Sequence, residues 1–156
     1  MVDLNGENGC LRELDRARIR DDFQDDLQDG SQGELLNGSQ NGSPLQSIWD
    51  APATFPIAAK GYIVLKGSTF KGDFQGKLSN GLSKSAGGVG LADASDAIVD
   101  SMTWGSVSAS HPFTEGTKVA TIPTNQSASR VPDGKDTNNN ATDFVVGART
   151  PGAANK

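Results

Sequence analysis

Residues 127–156 read SASRVPDGKDTNNNATDFVVGARTPGAANK, and this closing stretch, dense in turn residues around one apolar run, decides the fold class. Pro132 fixes φ, Asp133 can bond the backbone two residues on, and Gly134 accepts φ > 0, so Pro132-Asp133-Gly134 is a tight-turn tripeptide. Asp136 to Asn140 extends the loop. Phe144-Val145-Val146 is then a short β-prone run closed by Gly147, and Pro151-Gly152 is a second turn signal. The pattern predicts a β domain that finishes here.

Working outward, short apolar runs recur with turn residues between them: Leu45–Trp49, Tyr62–Leu65, Thr69–Phe74, Gly88–Leu91, Ile98–Trp104 and Lys118–Ile122. Their spacing is that of a β-sandwich. The 19 glycines fall between such runs instead of breaking long helical patterns, which favours a turn-rich β domain. Trp49 and Trp104 are read as core residues, Trp104 because it closes an alternating strand with Met102. The one credible helix covers residues 10–28, where Leu11, Leu14, Ile19, Phe23 and Leu27 spread over a broad arc. It is followed over residues 29–43 by DGSQGELLNGSQNGS, read as linker. The expected division is therefore an acidic leader and flexible linker at 1–43 and a β domain at 44–156.

Charge is uneven along the 156 residues. Residues 1–50 carry 11 acids and 4 arginines, residues 51–84 carry 5 lysines and 1 aspartate, and the formal net charge of the chain is -5. An acidic leader thus precedes a locally basic segment. Cys10 is the only cysteine, which rules out an intrachain disulfide and a cysteine zinc site. Residues 1–30 have no apolar core of a secretory signal, and no run approaches the ~20 apolar residues of a membrane span.

Three groups of residues carry candidate chemistry. Asp133, Asp136, Asn138, Asn140 and Asp143 form an oxygen-rich cluster that could take Ca²⁺, although their spacing is not that of an EF-hand loop. The competing reading is that these Asp and Asn side chains cap turns and tie the loop to its own backbone. Lys60, Lys66, Lys71, Lys77 and Lys84, interleaved with Tyr62, Phe70 and Phe74, could form a nucleic-acid surface; the competing reading, which the acidic chain favours, is that the lysines decorate exposed edge strands against edge-to-edge pairing while the aromatics enter the core. Asp93, Asp96 and Asp100 surround one hairpin without a nucleophile or a second acid placed by motif, so acid–base catalysis is set aside. His111, the sole histidine, is read as a surface residue of a loop, outside any hydrolytic triad.

Arg130, Pro132-Asp133-Gly134, Asp136-Thr137, Asn140, Asp143-Phe144, Thr150-Pro151-Gly152 and Asn155 occur in the order and spacing used by the prokaryotic branch of the lamin-tail domain family, which the segment resembles. Upstream, Phe55 to Leu65 resembles the family's turn-then-strand, and Gly87 to Gly105 its next hairpin. The likeness covers about residues 55–156. The family's opening motifs are matched only by Glu34-Leu35-Leu36-Asn37-Gly38-Ser39, so the resemblance implies an immunoglobulin-like β-sandwich whose first strands are lacking or replaced. It further implies a noncatalytic accessory module of a secreted or surface protein, attaching to or recognising a protein, glycan or surface. The alternative is a nucleic-acid-binding accessory domain of an extracellular nuclease-type protein that uses the lysine and aromatic patch.

Overall fold

The computed structural model describes residues 46–52, 62–67, 70–83, 85–92 and 95–155 with their side chains, and the backbone of the strands at 2–3, 10–11 and 34–38. The chain forms strands β1 (Val2–Asp3), β2 (Cys10–Leu11), β3 (Glu34–Gly38), β4 (Gln46–Asp50), β5 (Leu65–Lys66), β6 (Gly76–Lys77), β7 (Ala86–Ala92), β8 (Ile98–Gly105), β9 (Ser127–Arg130) and β10 (Phe144–Gly147). One short helix, α1 (Asn140–Asp143), precedes β10. The expected all-β class holds. Two sheets result, ordered β10-β9-β1-β2-β5-β6 and β4-β3-β7-β8. Every pairing is antiparallel except β5 with β6.

The β7–β8 ladder shows why these residues make strands. Val89 and Leu91 of β7, with Met102 and Trp104 of β8, alternate onto one buried face, as a period of two requires. Gly87 lies opposite Trp104, where an added Cβ would come within 2.9 Å of the indole ring. The core they enter also takes Ile48 and Trp49 from β4, Leu65 from β5, Ala128 from β9 and Phe144 from β10, so both sheets share it. Burying each large side chain of this kind stabilises by about 1.5–3 kcal/mol. Trp104 is fully buried and donates its indole N–H to Ser83 O at 3.0 Å, which removes the cost of burying that donor.

The opposite face of β7 is different. Gly88 and Gly90 leave space that His111 and Phe113 fill: an added Cβ would stand 2.5 Å from His111 Cε1 and 2.7 Å from Phe113 Cε1. His111 is buried, its Nδ1 accepting from Phe113 N at 3.2 Å, which corrects the expectation of a surface histidine. Sequence reasoning took glycines for punctuation between strands; here they sit inside one and admit two rings.

Other expectations shift by element. The run Tyr62–Leu65 gives only the two-residue β5, and residues 70–75 are loop, with β6 beginning at Gly76. In place of a strand over Lys118–Ile122 there is an isolated bridge from Val119 to Trp104. β9, Ser-Ala-Ser-Arg, has no apolar run and went unpredicted; all four residues are buried. Cys10–Leu11, at the head of the expected helix, is strand, and the rest of that stretch lies outside the described residues. Within the stretch expected to be linker, Glu34–Gly38 is a strand paired with β4 on one side and β7 on the other. Its flanks of Gly, Ser, Asn and Gln hid a five-residue strand.

Candidate functional site

Strands β8 and β9 belong to different sheets, and each sends one charged side chain inward beside apolar neighbours of the same parity. Asp100 shares its face of β8 with Met102 and Trp104, and Arg130 shares its face of β9 with Ala128. They meet as a buried ion pair, Arg130 Nη2 to Asp100 Oδ1 at 2.6 Å. The same guanidinium lies 4.6 Å from the centroid of the Phe144 ring and donates through Nη1 to Lys135 O. Its Nη1 is also 3.6 Å from Asp136 Oδ1 and 3.7 Å from Asp143 Oδ2. A charge-assisted bond of this kind is what makes a buried guanidinium tolerable.

The remaining oxygens of the closing loop are engaged by the chain's own donors. Gly134 takes φ +71° and Lys135 N bonds Pro132 O at 3.1 Å, closing the expected turn. Asp133 accepts from Tyr62 OH at 2.8 Å and from Asn155 N at 3.0 Å, and Asn155 Nδ2 donates to Arg130 O. Asp136 accepts from Asn138 N at 2.8 Å, and Asn138 itself is exposed with φ +54°. Asp143 accepts from Thr137 N and Thr137 Oγ1, both at 2.8 Å, and from Asn139 N. Burial alone would raise the Asp143 carboxyl, but these hydrogen bonds, with the Arg130 charge, outweigh it and hold the group below the usual range.

Asn140 points the other way, to the outer margin of β8. Its Oδ1 accepts from Thr103 N at 3.0 Å and its Nδ2 donates to Ser101 O at 2.9 Å, so the side-chain amide pairs with β8 as a strand residue would. Glu115 accepts from Ser101 N at 3.2 Å, Ser101 Oγ at 3.1 Å and Asn140 Nδ2 at 3.1 Å. Its carboxyl is raised above its ordinary value, chiefly by burial and further by Asp136, against the lowering effects of Ser101 and Arg130.

The five residues expected as calcium ligands therefore do not converge. Asp133 faces Tyr62 and Asn155, Asn140 faces β8, Asn138 is exposed, and Asp136 and Asp143 flank a guanidinium. Among the described residues no group of three or more His, Cys, Asp or Glu side chains is placed to hold a metal ion. Asp100 and Glu115 were not found as partners of this segment by sequence reasoning. The parity of Asp100 with Met102 and Trp104 was a usable signal; nothing marked Glu115.

Of the expected nucleic-acid residues, Lys60 and Lys84 lie outside the described residues. Lys66 and Lys77 are register partners on β5 and β6, and Lys66 Nζ stands 3.7 Å from the centroid of the Phe74 ring. Lys71 is exposed in the connecting loop. Among the described residues, no helix is long and apolar enough to cross a membrane. In comparisons with known proteins, no family model, no curated protein and no solved structure matches this chain.

Proposed function

We propose that this chain is a noncatalytic recognition or attachment module, built as an immunoglobulin-like β-sandwich of the lamin-tail type and acting at the cell surface or outside the cell. One observation carries the reading: the polar residues of the closing segment are spent on the fold. Arg130 ties one sheet to the other through Asp100, Asp133 anchors Tyr62 and Asn155, and Asn140 lines the margin of β8. A reaction centre needs a nucleophile or base within reach of a substrate and free to exchange a proton. The acids here instead accept bonds from backbone, hydroxyl, amide and guanidinium donors of the chain itself. Two sheets around one core, with a buried ion pair between them, support the sandwich reading.

Recognition then falls to exposed surface. The test is to incubate the purified chain with chromogenic esters, phosphomonoesters, phosphodiesters and glycosides, and to measure retention of labelled protein on a glycan array and on peptidoglycan. No turnover and saturable retention are expected. Turnover of any of these substrates that disappears in Glu115→Gln overturns the reading.

A further inference from the structure

We propose that the β5–β6 margin, through Lys66, Lys71, Lys77 and Phe74, binds single-stranded nucleic acid without sequence preference. This rests on the reading of the chain as a noncatalytic recognition module and gives that module a partner class. β6 closes one end of its sheet, and Lys77 lies exposed on it, in register with Lys66 of β5. The loop between the two strands adds exposed Lys71 and Phe74, and Phe74 is 44% exposed, one of the few large apolar side chains left in solvent among the described residues. No described carboxylate forms an ion pair with any of the three lysines, although Asp73 is exposed in the same loop.

Each part suits a flexible polyanion carrying bases. Lys66 Nζ lies over one face of the Phe74 ring, 3.7 Å from its centroid, which holds an ammonium group on that face and leaves the opposite face as the one a base would stack on. Phe70 is not the stacking ring, because it packs over Gly72, where an added Cβ would lie 2.5 Å from its Cζ. A ring that stacks bases between ammonium groups that neutralise phosphates is the usual device for single strands. An acidic peptide adding to the sheet fits less well, because β6 has only the two residues Gly76–Lys77 to offer a main-chain ladder. Lysines are compact point charges without the planar fork that reads base edges, so sequence preference is not expected.

The experiment is fluorescence anisotropy of a labelled oligothymidylate with the full chain across a salt series. Three phosphate contacts predict a slope of log K against log salt of about -2, or roughly 20-fold weaker binding at 200 mM than at 50 mM salt. Lys71→Ala and Lys77→Ala should each reduce that slope by about 0.7. Phe74→Ala should weaken binding about tenfold at every salt concentration with the slope unchanged. Unfolding midpoints equal to the parent's keep the variants interpretable, since all three side chains are exposed. Absence of binding at low salt overturns the proposal, as does binding that the lysine variants leave unchanged. Equal displacement by a polyglutamate peptide overturns it in favour of a general anion surface. Either failure leaves the noncatalytic reading intact, because that is tested separately by turnover and by retention on glycans and peptidoglycan.

Discussion

Arg130 is the residue on which the closing segment turns. Its side chain is fully buried, and Asp100 at 2.6 Å is the carboxylate that bonds it directly, with Asp136 and Asp143 farther off at 3.6 and 3.7 Å. Asp100→Ala should therefore cost up to about 3 kcal/mol in urea unfolding, the low end for breaking a buried pair, because it removes the direct ionic hydrogen bond of a buried cation while Asp136 and Asp143 still offset part of its charge. The double variant Asp100→Leu with Arg130→Met should lose much less than the two single changes together, since it removes the burial cost along with the pair. An additive result would show that the pair is not coupled. The oxygen-rich run from Asp133 to Asp143 was legible in the sequence as a site for positive charge, but not which charge. A carboxylate cluster around a metal and one around a guanidinium have the same composition, and only the fold brings Arg130 between Asp136 and Asp143. A melting temperature raised by Ca²⁺ relative to chelator would displace Arg130 from that role.

The two shifted carboxyls at this scale act on stability with opposite sign. Asp143 is held low in the fold, so its contribution is present above the unfolded carboxylate pKa and is lost as pH falls through the folded value. Glu115 is held high, so its contribution is full below the unfolded pKa and declines as pH rises through the folded value. Acidification from neutrality should first relieve Glu115 and then penalise Asp143. Urea midpoints measured from pH 7 to pH 3 should show this order. Asp143→Asn should be less stable at neutral pH and lose less on acidification than the parent; an unchanged acid limb would remove Asp143 from the account.

At the scale of elements, the outer margin of β8 explains why a four-residue helix exists at all. A strand at the edge of a sheet offers unpaired backbone groups to any passing strand. Here Ser101 N is taken by Glu115, Ser101 O and Thr103 N by Asn140, and Thr103 O and Gly105 N by the backbone of Val119. α1 holds Asn140 in place, with Asn140 N bonded to Glu115 O and Ala141 N to Thr117 O. Asn140→Ala leaves one buried donor and one buried acceptor of β8 without their partner, at about 1–3 kcal/mol each. The expected result is a lowered urea midpoint together with concentration-dependent light scattering from the uncovered margin. Scattering without any loss of stability would contradict the assignment of Asn140 as a partner of buried groups. None of this was legible beforehand, because Asn140-Ala-Thr carries no apolar period and reads equally as loop. Where one face was apolar, as in β4, β7, β8 and β10, the strands were legible. They were missed where both buried faces lack a large apolar residue, as in β9 with Ser127 and Ser129 on one face and Ala128 and Arg130 on the other.

At the scale of the whole molecule, the question is whether residues 44–156 are a domain by themselves. Composition suggested so, because apolar runs thicken after Ser43 and the preceding residues are acidic and polar. Backbone pairing crosses that boundary in both sheets. β3 lies between β4 and β7, and β1 and β2 lie between β9 and β5. Removing residues 1–43 would separate β4 from β7 in one sheet and split the other into β10-β9 and β5-β6. What would remain is a β7–β8 hairpin, two isolated two-stranded pieces and a detached β4, and isolated two-stranded hairpins are marginal in water at best. The buried side chains of β9 and β5 would then flank a gap where two strands had been. The chain of residues 44–156 should therefore unfold without a cooperative transition in urea, whereas the full chain should show one. A fragment that unfolds cooperatively with the parent's midpoint would instead restore the boundary at Ser43, and would mean that β1, β2 and β3 add ladder bonds without supporting the core.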